Sequence, residues 1–408
     1  MSKVAHTPQL RFPEFSGDWE EKKLSDISDV RDGTHESPKY VLDGFPLITS
    51  KNLLSNGSID FENINLVSEE DYTNINKRSK VDINDILFGM IGTIGNPVIV
   101  KETGFAIKNV ALIKQQKELL NKFMIFYLSG NSIAKQFYIE NTGGTQKFLA
   151  LGVIRSLKIK FPPDTEQQKI AAFLTAVDNK IEQLIKKQEL LGEYKKGLMQ
   201  QIFSQAIRFK ASDGSDFPDW EEKKLGDLFS GIKGRGLSKG DITIDGLNKC
   251  ILYGELYTTY PEVIKNIVSR TNSDDGVKSQ AGDLLVPCST TTTGIDLADV
   301  TAINEDNVLL GGDMSILRLK KDGDSIFFAY YLTHYKKFDL AKYGQGSTIV
   351  HLYYSHFKKI DLKFPSSVEE QTKIANFLSS IDNKIEQVGK QLDESKQFKK
   401  ALLQQMFV

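Results

Sequence analysis

Apolar positions along the chain fall into two kinds of pattern, and each kind occurs twice. From Ile170, alternating steps of four and three pass through Ile170, Leu174, Val177, Ile181, Leu184, Gln188, Leu191, Lys195, Leu198 and Ile202, eight of the ten apolar. The same steps from Ile374 pass through Leu378, Ile381, Ile385, Val388, Leu392, Ser395, Lys399, Leu402 and Met406, again eight of ten. A four–three alternation held over more than four heptads is the seam of a coiled coil. Pro162-Pro163 and Pro365 stand before the two stretches, with Asp164 and Ser366 or Ser367 as suitable caps, so each reads as one long helix. Upstream, FPLITSKNL, NDILFGMIG, NPVIVK and SLKIKFP are short, β-branched runs bounded by Gly, Pro or Asn, the mark of strands. Residues 122–138 (KFMIFYLSGNSIAKQFY) read as a helix. The expected fold is α+β (mixed α/β): two globular heads separated by a long antiparallel coiled coil of two helices.

The two patterns are copies of one unit. DWEEKKL at 18–24 returns at 219–225, 201 positions later, and Phe161-Pro162 returns as Phe364-Pro365. EQQKIAAFLTAVDNKIEQ from Glu166 matches EQTKIANFLSSIDNKIEQ from Glu370, 204 positions later, and GLMQQIF matches ALLQQMF at the helix ends. Between these blocks the halves diverge, as GTHESPKYVLDGFP against GRGLSKGDITIDGL shows, although NDILFG still aligns with GDLLVP and FMIFYL with FFAYYL. Repetition on this scale marks a duplicated module. It divides the chain into a first head at 1–163, a helix at 164–205, a second head at 206–366 and a helix at 367–408. The first helix must carry the chain from one head to the other and the second must return. The pair is therefore expected to be antiparallel and related by a pseudo-twofold axis.

Bulk properties narrow the function classes. At 408 residues with 40% apolar content, the chain suits two packed domains with connectors. The opening MSKVAHTPQLRFPEF has no apolar signal segment, and the apolar run at 87–100 is broken by Gly89, Gly92, Gly95 and Pro97, too short for a membrane span. Cys250 and Cys288 alone make neither a disulfide framework nor a thiolate cluster, and a cytoplasmic protein is expected. With 52 basic against 53 acidic residues the chain lacks the basic footprint of an autonomous nucleic-acid binder, though a local basic loop escapes that average.

Catalytic motifs are missing. There is no Asn/Asp-Pro-Pro-aromatic loop and no G-x-G-x-x-G after a strand, Gly234-Arg235-Gly236 being only a fragment of it; nor is there a Walker A loop, the nearest stretch, Gly236-Leu237-Ser238-Lys239-Gly240, failing the pattern. Glu20-Glu21-Lys22 and Glu221-Glu222-Lys223 match the E-x-K of metal-dependent nucleases in form, but they lie beside Trp19 and Trp220 without a suitably spaced acid. His6, His35, His334, His351 and His356 form no metal spacing, so neither a catalytic nor a metal residue is expected. What the heads carry instead is polar, glycine-rich loops. Candidate DNA contacts in the first head are Lys51, Asn52, Lys77, Arg78, Thr93, Asn96, Thr145, Gln146 and Lys147. Those in the second are Lys233, Arg235, Lys239, Ser289, Thr290, Thr291, Thr292, Gln345, Ser347 and Thr348. Lys and Arg suit phosphates, Asn, Gln and Arg suit base edges, and Gly lets backbone approach a duplex. The residues leave two other classes open, a coiled-coil adaptor whose heads bind proteins and an enzyme with a divided active site.

Duplicated heads, each ending in F-P-x(2-4)-E-Q-x-K-I-A and a heptad helix through D-N-K-I-E-Q, resemble the specificity subunits of type I restriction–modification enzymes. The resemblance runs along essentially the whole chain, LRFPEFSGDWEEKKL included, and GRGLSKGDI with CILYGELYTTY looks like one widespread recognition-domain variant. It implies a non-catalytic subunit whose heads are target-recognition domains, each reading half of a bipartite, asymmetric site in double-stranded DNA. It implies helices that dock two methyltransferase subunits, with restriction subunits joining through them. S-adenosylmethionine, ATP and Mg are then expected only on those partners, and no cofactor on this chain.

Overall fold

The computed structural model describes residues 7–116, 118–140 and 148–408. Two long helices dominate it, α1 (Asp164–Phe203) and α2 (Val368–Gln405). The chain divides into two compact units, Met1–Lys186 with Gly389–Val408, and Lys187–Val388. Each unit therefore holds one head, the start of the helix that leaves it and the end of the other.

In the first unit, Glu20–Lys23 pairs antiparallel with Lys158–Phe161, closing the base of the head. Above it stand two four-stranded sheets. One runs in the order Val30–Asp32, Val110–Ile113, Ile86–Gly89, Gly95–Ile99, all antiparallel. The other runs Tyr40–Val41, Asn65–Val67, Phe45–Thr49, Ala106–Lys108, its last pair parallel. The single helix expected over 122–138 is two, Asn121–Leu128 and Asn131–Glu140. The break falls at Ser129-Gly130, where a Cβ on Gly130 would sit 3.2 Å from the Tyr127 carbonyl. Glycine is the residue that loses most on entering a helix and least on breaking one.

The second unit repeats the plan. Glu221–Lys224 pairs with Asp361–Phe364 at the base. A five-stranded sheet runs Phe229–Lys233, Met314–Leu319, Asp283–Pro287, Thr301–Ile303, Val263–Ile264, and a four-stranded one Ser269–Thr271, Asn248–Ile251, Leu309–Leu310, Val277–Lys278.

One aromatic quartet anchors a helix end in each head. Phe407, just past α2, packs against Trp19, Phe123 and Tyr127 at ring centroid distances of 6.4, 5.5 and 5.7 Å. Phe203, closing α1, packs against Phe327 and Tyr331 at 6.1 and 5.3 Å, with Trp220 6.4 Å from Phe327. All eight rings are buried, which makes each helix terminus part of a head's core. Apolar burial of this kind is the main stabilising term available to such a joint.

The recurring Glu-Gln dipeptide is a second joint. Buried Glu166 takes a two-pronged ion pair from Arg11, Nε at 2.8 Å and Nη2 at 2.7 Å, and Glu370 takes one from Arg208 at 3.2 and 2.8 Å. Gln167 accepts from the Leu120 amide and donates to the Pro162 carbonyl; Gln371 accepts from the Asp324 amide and donates to the Pro365 carbonyl. A fork of this geometry fixes direction as well as distance, so the first turn of each helix is locked to its own head.

Every apolar position of the two seams is buried or half-buried. The two lysines that interrupt the seam have partners. Lys195 pairs with Asp382 at 2.7 Å in the second unit and Lys399 with Asp178 at 2.5 Å in the first. Since 382 − 178 and 399 − 195 are both 204, these are one contact made twice. Within each unit, the two helix segments run antiparallel.

Candidate nucleic-acid interface

Three sequence candidates of the second head come together. Lys233 ends a strand, and the chain then turns through Gly234-Arg235-Gly236 to Lys239, where Ser238 and Asp241 cap a short 3-10 turn reciprocally. A Cβ on Gly234 would lie 2.0 Å from the Gly311 carbonyl, so only glycine lets this loop close on the neighbouring strand connection. Facing it is the helical turn Glu255–Thr258, tied to the chain before it where the Glu255 carboxylate accepts from the Leu252 amide at 2.7 Å. Between them lies a cleft of about 1180 Å³ lined by Lys233, Arg235 and Lys239 with Tyr253, Tyr257 and Asp313. The three cations are exposed, and Arg235 keeps a loose pair with Asp275 at 3.6 Å. Burial pushes the Tyr257 phenol above its ordinary value, so it stays a neutral donor and acceptor.

The remaining candidates of this head adjoin the cleft. Ser289 and Thr290 are buried in a short strand against Val350–His351, and Gln345 bridges His351, which brings the 289–292 and 345–348 loops side by side. Thr291, Thr292, Gln345, Ser347 and Thr348 are exposed. Asp313 joins the two groups: it lines the cleft and accepts from Ser289 Oγ at 3.2 Å. Lys233 lies 5.5 Å over the Tyr353 ring. Cationic lips, an aromatic floor and a polar hairpin form one continuous face.

In the first head the candidates scatter, and several are occupied in building turns. Asn52 is buried; its Oδ1 accepts from the Thr49 amide and hydroxyl at 2.9 and 2.8 Å, and its Nδ2 donates to the Asn63 carbonyl at 2.9 Å. Asn96 sits at φ +45° and donates to the Leu53 carbonyl at 2.9 Å, and Thr93 is half-buried. Arg78 pairs with buried Asp32, which also holds His35 at 2.8 Å. Lys51 and Lys77 are exposed. Thr145, Gln146 and Lys147 lie outside the described residues.

Sequence reasoning passed over Tyr253, Tyr257 and Asp313. The string CILYGELYTTY held the signal for the first two, since two aromatics four apart on a short turn share one face. Both cysteines are buried, their thiols pushed up to about 11 chiefly by burial. Among the described residues no helix is long and apolar enough to cross a membrane, and no group of three or more His, Cys, Asp and Glu is placed to hold a metal.

Comparisons with known proteins agree with this layout. The model of the type I restriction modification DNA specificity domain matches twice, at residues 16–191 and 218–395. The putative type I restriction enzyme MjaX specificity subunit of Methanocaldococcus jannaschii is 26% identical over 96% of this chain and 93% of its own length. The MjaVIII specificity subunit of the same organism is 24% identical over 97% and 92%. In fold, the chain is similar to the type I restriction–modification S subunit from M. genitalium, with a TM-score of 0.61 and 16% identity over 98% of this chain and 99% of that one. A chain from a structure describing complex assembly and conformational transition of a type I restriction–modification system gives 0.56 and 16%, over 94% and 96%. With a matching domain in each half, the chain belongs to the family of type I restriction–modification DNA specificity subunits.

Proposed function

We propose that this chain is the non-catalytic reader of a type I restriction–modification complex, each head recognising one half of a bipartite, asymmetric DNA site with a nonspecific spacer. The observation that carries the reading is the second head's face, where three exposed cations meet tyrosine rings and a polar hairpin. Cations bind phosphates without reading sequence, and hydroxyls, amides and guanidinium groups read base edges. The first head supplies the other half-site through a different loop set, as its divergent sequence requires.

The helices serve as docking surfaces for two methyltransferase subunits. Tyr194 on α1 and Phe398 on α2 are 204 positions apart and are 55% and 52% exposed, so the same aromatic position is offered once in each unit. Duplicated faces suit two copies of one partner. Restriction subunits join through the methyltransferases, and S-adenosylmethionine, ATP and Mg reside on those partners.

Methylome sequencing of cells expressing the chain with its methyltransferase partner tests the assignment. Arg235→Ala is expected to relax one base position in one half-site, at a cost of about 1–3 kcal/mol for a lost bidentate contact. A uniform loss of affinity across sequences would make Arg235 a phosphate contact, and a change in both half-sites would sink the division of labour.

A further inference from the structure

One feature recurs in both heads where their sequences otherwise part. Leu42-Asp43-Gly44 and Ile244-Asp245-Gly246 are 202 positions apart. Two residues before each aliphatic, the chain pairs with equivalent strand positions, Tyr40 with Val67 and Ile242 with Thr271. Each glycine then closes on that same strand position. A Cβ on Gly44 would lie 2.2 Å from the Val67 carbonyl oxygen, and one on Gly246 would lie 2.4 Å from the Thr271 amide nitrogen. The turn is thus pinned, and the aliphatic is aimed rather than left to wander.

Leu42 is 103% exposed and Ile244 94%, the two most exposed large apolar side chains among the described residues. A single exposed aliphatic is ordinary. Asp-Gly turn chemistry, however, asks only for the aspartate and the glycine, and it leaves Leu or Ile at both tips unexplained. In the second head the tip adjoins the cationic cleft: Ile242 lines that cleft with Lys233, Arg235 and Lys239, and Arg270 donates to the Gly246 carbonyl at 3.1 Å. A polyanion filling the cleft would pass two residues from the tip. In duplex DNA, the apolar group presented in the major groove is the C5 methyl of thymine.

We propose that Leu42 and Ile244 are specificity-determining residues, each closing on the methyl group of a thymine in the half-site its head reads. This rests on the DNA-reading function proposed above. The test uses the chain assembled with its methyltransferase partners, on the site mapped by methylome sequencing, with each thymine replaced in turn by deoxyuridine. That replacement removes the methyl and nothing else. One position in each half-site should then bind about fourfold more weakly, the worth of one buried methyl. The sensitivity of one half-site should vanish in Ile244→Ser and that of the other in Leu42→Ser, with melting temperatures unchanged because both side chains stand in solvent.

Indifference to deoxyuridine at every position overturns the proposal, as does a mapped half-site without thymine. Variants that bind DNA as the parent does but lose a protein partner assign the tips to a protein surface instead. A parent complex with no bipartite site overturns the DNA-reading assignment itself and the tips with it, an outcome distinct from a site that is read without them.

Discussion

The two joints between helix and head share one design and differ in how much charge they bury. In the first unit, Lys399 meets Asp178 and lies 5.7 Å over the Phe126 ring. In the second, Lys195 meets Asp382 and lies 4.9 Å over Tyr330, the residue 204 positions after Phe126. There the contact has more partners. Glu262 adds a second carboxylate 3.0 Å from Lys195, His334 bonds to Glu262, and the Tyr330 hydroxyl donates to Asp382. The positions 204 earlier than Glu262 and His334 hold Ser58 and Gly130, which have no charge to offer. Side chains of Lys195 and Glu262 are 12% and 14% exposed, against 30% and 32% for Lys399 and Asp178. The same contact is part of a buried polar network in one copy and a partly wet pair in the other.

The shared part of the comparison should show the largest effect. Phe203→Ala and Phe407→Ala each empty an aromatic site in a head core and are expected to cost about 3–5 kcal/mol. Urea unfolding should show similar losses for the two. A negligible loss at Phe407 would mean that α2 needs no anchor in the first head.

The lysines should separate the copies. Lys195→Met leaves buried Glu262 with His334 as its remaining partner and takes the cation from Asp382, and is expected to destabilise the second unit by about 3 kcal/mol. Lys399→Met breaks a half-exposed pair and should cost under about 1 kcal/mol. Equal losses in the two variants would erase the distinction.

Acid should separate them as well. Burial pushes the Glu262 carboxyl up, but the His334 hydrogen bond and the Lys195 charge outweigh it and leave it at about 2, against an ordinary 4.5. A carboxyl held below its unfolded value stabilises the fold above that value. The second unit should therefore lose up to about 3 kcal/mol as pH falls from 4.5 towards 2, with no such contribution from Glu262 changing above pH 5 or so. Glu262→Gln should flatten that part of the pH–stability curve, and an unchanged curve would remove Glu262 from the account.

The smallest contrast expected between the copies lies at one buried polar side chain in each head, Asn52 in the first and Ser289 in the second. Both are buried, yet the Asn52 side chain carries four bonds into its turn and Ser289 Oγ only a 3.2 Å bond to Asp313. Asn52→Ala should cost about 1–3 kcal/mol and Ser289→Ala about 1, measured by thermal unfolding.

Periodicity made the helices legible. The seam residues repeat at helical spacing, and every copy of DWEEKKL and the Glu-Gln joint could be matched to its twin by eye. Polar interruptions were less readable: Lys195 and Lys399 look like flaws in a seam until Asp382 and Asp178 are seen across from them. Loop function was harder still, because the same Asn or Ser that suits a base edge also suits a turn. Asn52 and Asn96 are spent on backbone carbonyls and amides, and nothing local distinguishes them from exposed Lys51. The cleft in the second head joins segments about twenty residues apart with Asp313 from far along the chain, and the paired tips hide in stretches that align poorly. The helix over 122–138 failed at Ser129-Gly130, a break that apolar residues recurring on either side concealed.

The paired strands at each base have an evolutionary consequence. Glu20 faces Phe161 and Glu221 faces Phe364, so the two ends of each head leave it side by side. A head is thereby a cassette held between two adjacent chain ends, both written in sequence shared by the two copies. Exchange of the intervening segment at those shared stretches would substitute one loop set for another and leave Arg11–Glu166 and Arg208–Glu370 to be remade from retained parts, with Trp19 and Phe407, or Trp220 and Phe203, meeting rings that the incoming segment supplies. A protein assembled this way can acquire a new address in a single recombination event, where point substitution would have to rebuild the reading face one contact at a time.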